Sequence, residues 1–88
     1  MITQIDKDFK EFILSKKTSI FNVMTIIEKK RNRQILLQRY LNNNSYKDIA
    51  LIFNISSERV RFIYFRCMRK IRKELEKVWQ KISYYLIA

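Results

Sequence analysis

Residues 46–64 read YKDIALIFNISSERVRFIY, and this stretch decides the fold. Two short helical patterns meet at Asn54-Ile55-Ser56. Ile49 and Phe53 supply apolar positions before the junction; Val60 and Ile63 supply them after it. Ala50 is the small residue that lets two helices cross closely. Asn54 stands where a turn needs unusual backbone angles, and Ile55 plugs the turn. Steeply crossed helices joined by a tight turn form a helix-turn-helix. Ser45 is the expected N-cap of the first helix, with Asp48 at capping-box spacing, and Ser56 or Ser57 is the expected cap of the second.

The second helix continues well past the motif. Val60, Ile63, Cys67, Ile71, Leu75, Val78, Ile82 and Tyr85 recur at steps of three or four. This spacing predicts one helix to about Leu86, or two with a bend near Lys73–Glu74. Upstream, Asn42-Asn43-Asn44 reads as a turn, because Asn tolerates left-handed backbone angles. Residues 19–41 read as helix, in one piece or in two with a break near Lys30–Asn32. Residues 3–16 read as a first helix, with Thr3 and Asp6 at capping-box spacing and Ile5, Phe9, Phe12 and Ile13 on one face.

The chain has 88 residues, 48% of them hydrophobic, with no Gly and no Pro. Tight sheet turns normally need Gly or Pro, so helices joined by Asn and Ser turns are expected. The fold class expected is all-α: one domain over 1–88, a bundle of four or five helices containing the helix-turn-helix and ending in a long C-terminal helix. It divides into an N-terminal helix (1–18), the helix-turn-helix unit (19–73) and a helical extension (74–88).

The net charge of +11 is uneven. Residues 1–27 carry four basic and three acidic side chains; residues 28–88 carry fifteen and five. Such a field favours a polyanion, with nucleic acid first and an anionic membrane surface second. Arg59, Arg61, Arg66, Arg69, Lys70, Arg72 and Lys73 fall opposite the apolar stripe of the long helix. Histidine is absent, no Gly-rich phosphate loop occurs, and Cys67 is the only cysteine. No catalytic residue, cofactor or metal is therefore expected, nor an internal disulfide. A reducing cytoplasm is the simplest compartment, in a bacterial nucleoid if DNA is bound. No apolar run approaches the roughly 20 residues of a membrane span.

From Ser45 through Ile63, and on through Phe65-Arg-Cys-Met-Arg-Lys-Ile-Arg72, the sequence resembles region 4 of sigma-70-type factors. That family typically shows Thr-Leu-Glu-Glu-Ile-Ala, then Thr-Arg-Glu-Arg-Ile/Val-Arg-Gln-Ile, then Lys-Ala-Leu-Arg-Lys-Leu-Arg. The segment Arg31 to Leu41 resembles the preceding Arg-rich helix. The resemblance implies a reading turn of Ser57, Glu58, Arg61 and Phe62. In it Glu58 would accept from cytosine N4 and Arg61 would pair with guanine O6 and N7. It further implies DNA-backbone contacts from Arg31, Arg39, Ser45, Lys47, Arg59, Arg66 and Arg69. Arg72 belongs to the same trailing basic face, which borders DNA or bound activators.

Two family residues are replaced: Ser57 stands for a frequent Arg and Phe62 for Gln. Phe62 either meets a thymine methyl or packs, and packing is the expected outcome because aromatics near a helix crossing are usually core. The chain has no room for the family's region 2, so a free-standing region 4 module is expected: a small regulator, a phage-type late-gene activator or half of a split sigma. Its partners would be promoter-like double-stranded DNA and RNA polymerase or a sigma partner, with no membrane. The alternative function is a protein-interaction module with weak or no DNA binding. A third is RNA or membrane-surface binding, for which Trp79, Tyr84 and Tyr85 are the cue. The stripe of Leu75, Val78, Trp79, Ile82, Tyr85 and Leu86 either packs on the N-terminal helix or forms a homodimer surface.

Overall fold

Thr3 starts the first helix as its spacing with Asp6 predicts. The computed structural model describes residues 3–87, with side chains as far as residue 78. Helix α1 spans Gln4–Ser15. The Thr3 hydroxyl accepts the Asp6 amide, and the Asp6 carboxylate accepts the Thr3 amide at 2.9 Å, a complete capping box. Phe9 and Ile13 are buried and Phe12 half-buried, whereas Ile5, expected on the same face, is half exposed.

Residues 19–41 form two pieces, and the break lies earlier than predicted. Helix α2 (Ile20–Val23), capped by Ser19, runs into a 3-10 turn at Met24–Ile26. The chain opens to extended backbone at Ile27, and α3 begins at Lys30 and ends at Asn42. Two contacts explain the position. Ile27 is buried in the core, and the Arg33 guanidinium donates to the carbonyls of Ile27 and Glu28, both at 2.9 Å. A side chain five and six residues on thus satisfies backbone groups that the break leaves open.

Asn43 ends α3 with φ 54°, the left-handed conformation expected of the Asn run. Helix α4 spans Tyr46–Phe53, and the Ser45 hydroxyl accepts the Asp48 amide at 3.1 Å. Asn54 is left-handed (φ 54°, ψ 46°), and the Ile55 amide reaches back to the Ala50 carbonyl at 3.1 Å. Ser56 is the cap of the next helix, accepting from the Arg59 amide at 3.1 Å. That helix, α5, runs unbroken from Ser57 to Ile87. Among the described residues there are five α-helices, one 3-10 turn and no strand.

One buried cluster joins these elements, from Phe9 and Ile13 through Ile35, Leu36 and Ile49 to Val60, Ile63, Cys67 and Ile71. Its centre is polar. Asp6, 3% exposed, accepts from Arg39 Nη2 at 2.8 Å, from Arg39 Nε at 3.3 Å and from the Tyr64 hydroxyl at 3.0 Å. Arg39, 5% exposed, also donates to the Asn44 carbonyl at 3.0 Å and stacks over the Tyr46 ring, its guanidinium carbon 4.4 Å from the centroid. Helices α1, α3, α4 and α5 thus meet on a single ion pair. Burial alone would raise the Asp6 pKa, but hydrogen bonds from Arg39, Thr3 and Tyr64 outweigh it and hold the carboxyl below its usual value. Burial and the Asp6 charge push the Tyr64 hydroxyl strongly upward, so it keeps its proton.

The apolar stripe of α5 is buried as far as Ile71 and half-buried at Leu75, while Val78 is exposed. The sequence reading of Trp79, Ile82, Tyr84, Tyr85 and Leu86 concerns side chains outside the described residues. No helix among the described residues is long and apolar enough to cross a membrane.

Candidate nucleic-acid interface

The interface is built on the crossing of α4 and α5. Ala50 is 6% exposed, with Ile49, Val60 and Ile63 buried around it and Ile55 half-buried. With Val60, Ile63 and Tyr64 committed to the core, helical geometry turns the rest of the first two turns of α5 outward. Ser57, Glu58, Arg59, Arg61 and Phe62 are all exposed. Glu58, Phe62, Phe65 and Arg69 follow at steps of four, three and four along the outward line, flanked by Arg66 and Lys73. The helix that would enter a groove therefore presents a ridge rather than a core face.

Cations gather on one side of this ridge. A cleft of about 210 Å³ separates α5 from the start of α3, lined by Lys29 and Arg31 on one wall and by Arg59, Arg66 and Lys70 on the other. Ile27, Ile63 and Cys67 also line it, and Glu28 is its only carboxylate. Burial pushes the Cys67 thiol up to about 11, so it is not a reactive thiolate. On the other side of the ridge lies an apolar groove of about 380 Å³ lined by Ile5, Phe62, Phe65 and Met68, with Arg69 and Arg72.

The residues proposed from sequence to hold the DNA backbone do not all lie at this surface. Arg31, Lys47, Arg59, Arg66 and Arg69 are exposed; Ser45 is half-buried, its hydroxyl capping α4. Arg39 is a correction. It is buried, paired with Asp6 and stacked on Tyr46, so its guanidinium does not reach a phosphate. The structural partnership outcompetes solvent because the carboxylate satisfies two of its donors in a water-excluded site. Phe62 is a second correction, to the expectation of packing: it is 50% exposed. The Arg59 and Arg66 guanidiniums lie 6.0 and 5.6 Å from its ring centroid, and Arg61 lies 5.3 Å from that of Phe65.

Sequence reasoning missed the part played by Asp6 and Tyr64. A signal existed: Asp6 lies three residues before Phe9, and Arg39 lies four after Ile35, so both charges interrupt apolar stripes where a core residue is due. The groove beside Phe62 had no such signal, since Ile5 and Phe62 are 57 positions apart in the chain.

Among the described residues no group of three or more His, Cys, Asp or Glu side chains is placed to hold a metal ion. A family model described as sigma-70, region 4 matches residues 29–73, which is just over half of the chain and takes in α3, α4 and the first half of α5. Neither curated proteins nor solved structures give a match.

Proposed function

The chain belongs to the sigma-70 region 4 family of DNA-binding helix-turn-helix domains, and from that premise we propose that it binds double-stranded DNA sequence-specifically, as a stand-alone, non-enzymatic transcription module acting with RNA polymerase in the cytoplasm. The observation that carries this reading is the outward ridge of α5, flanked by cations and positioned by the buried crossing at Ala50. Ser57, Glu58, Arg61 and Phe62 stand at the end of α5 that enters a major groove in helix-turn-helix proteins. Glu58 accepts from a cytosine amino group, and Arg61 donates to guanine O6 and N7. Arg31, Lys47, Arg59, Arg66 and Arg69, with Ser45 and the cleft lysines Lys29 and Lys70, fix register on the phosphates. Arg39 is not among them.

A random-pool selection of duplexes on the full chain tests this reading. It should enrich a short common sequence. Glu58→Ala and Arg61→Ala should then each relax preference at one base pair, costing about 1–3 kcal/mol there. Equal losses on every duplex, or no enriched sequence, would contradict the reading.

A second reading, a module that docks on polymerase or a sigma partner with little DNA contact, draws on the exposed apolar groove between Ile5 and Phe65. Co-purification with polymerase by a chain that enriches no duplex would favour it.

A further inference from the structure

We propose that Phe62 makes the ridge selective for a pyrimidine carrying a C5 methyl group, which in ordinary DNA is thymine; this rests on the duplex-binding reading above and adds its base preference. The ring sits one helical turn after Glu58 on the outward line of α5 and is 50% exposed. Arg59 and Arg66, three residues before and four after, hold their guanidiniums 6.0 and 5.6 Å from its centroid. Such cation–π contacts restrict the ring and keep it presented between two charges.

The surface beside Phe62 is apolar too. Phe65, Met68 and Ile5 continue the ring into the groove on the α1 side. The buried pairing of Asp6 with Arg39 and Tyr64 pins the first turn of α1, and with it the Ile5 wall. A phenyl ring offers no donor or acceptor to the polar edges of guanine, adenine or cytosine. In the major groove only thymine among the four bases shows an apolar group, its C5 methyl. A methyl seated against Phe62 removes apolar surface on both partners from water, and that gain is absent for the other three bases. Glu58 and Phe62 together would then read one cytosine and one thymine.

The test uses the full chain and a duplex enriched by selection. Each thymine is replaced in turn by uracil, which deletes only the methyl. At one position affinity should fall about fourfold, the value of burying one such group, and at the others it should not change. Cytosine at that position should bind more weakly than 5-methylcytosine. Phe62→Ala should bind the thymine duplex about fourfold more weakly and treat thymine and uracil alike, while Phe62→Leu should retain the preference. Equal binding of thymine and uracil at every position by the unaltered chain, or an unchanged preference in Phe62→Ala, would overturn the proposal and leave duplex binding intact. Failure to bind any duplex would overturn both.

Discussion

Replacing Asp6 with alanine should cost about 3–5 kcal/mol of folding stability, because it strands the Arg39 guanidinium in the interior and leaves the Tyr64 hydroxyl without its acceptor. Domains of this size have roughly 5–15 kcal/mol in total, so the variant should be near unfolding at room temperature. The loss comes from the uncompensated charge rather than from the worth of the pair. A double variant, Asp6→Leu with Arg39→Met, should therefore recover the part due to the stranded charge, since buried ion pairs are often replaceable by apolar residues, and adding Tyr64→Phe should recover the part due to the hydroxyl that loses its acceptor. Acid should act through the same group. Its carboxyl pKa is depressed in the fold, so its stabilisation is present above the unfolded value of about 3.9 and is lost as pH falls through the folded value. Urea unfolding of the parent chain and these variants at pH 7 and pH 3 measures this. A loss under about 1 kcal/mol in Asp6→Ala, or an acid dependence unchanged by the double variant, would refute the role given to the pair.

The second large effect is on DNA affinity. Lys29, Arg31, Lys47, Arg59, Arg66, Arg69 and Lys70 offer about seven phosphate contacts. Counterion release then predicts a fall in affinity on the order of a thousandfold between about 50 and 200 mM salt. Arg66→Ala or Lys70→Ala should weaken all duplexes alike and reduce the salt slope by about one contact. Arg39→Met should leave the slope unchanged in the folded fraction, because that guanidinium serves the core. Fluorescence anisotropy across a salt series reads all three. A slope as much reduced by Arg39→Met as by Arg66→Ala would place Arg39 on the DNA after all.

Local chemistry was the legible part of this sequence. The Thr3–Asp6 capping box, the Ser45 cap and the left-handed Asn43 and Asn54 follow from residue type and spacing alone, and all are present in the structure. The helix-turn-helix was legible from the joint pattern of Ala50, Asn54, Val60 and Ile63 with a basic face opposite them, since the apolar positions alone would suit any helical bundle. What spacing hides is partnership across the chain. Arg39 shares its residue type and neighbourhood with phosphate-binding arginines; only the approach of Asp6, 33 positions away, withdraws it to the core. The break at Ile27–Lys29 was misplaced because its stabiliser, Arg33, belongs to the next helix. Phe62 was expected inside, as aromatics near a crossing usually are, but the core face of α5 is already filled by Val60, Ile63 and Tyr64.

In the proposed complex the first two turns of α5, from Ser57 to Phe62, enter a DNA groove. Backbone amide shift mapping during titration of the full chain with a selected duplex tests it most directly. The largest shifts should fall at residues 57–62, with smaller ones at Lys47 and along the cleft from Lys29 to Arg31, and little change at Phe9 and Ile13. Shifts centred on α1 and α2, with residues 57–62 unmoved at saturating duplex, would contradict it.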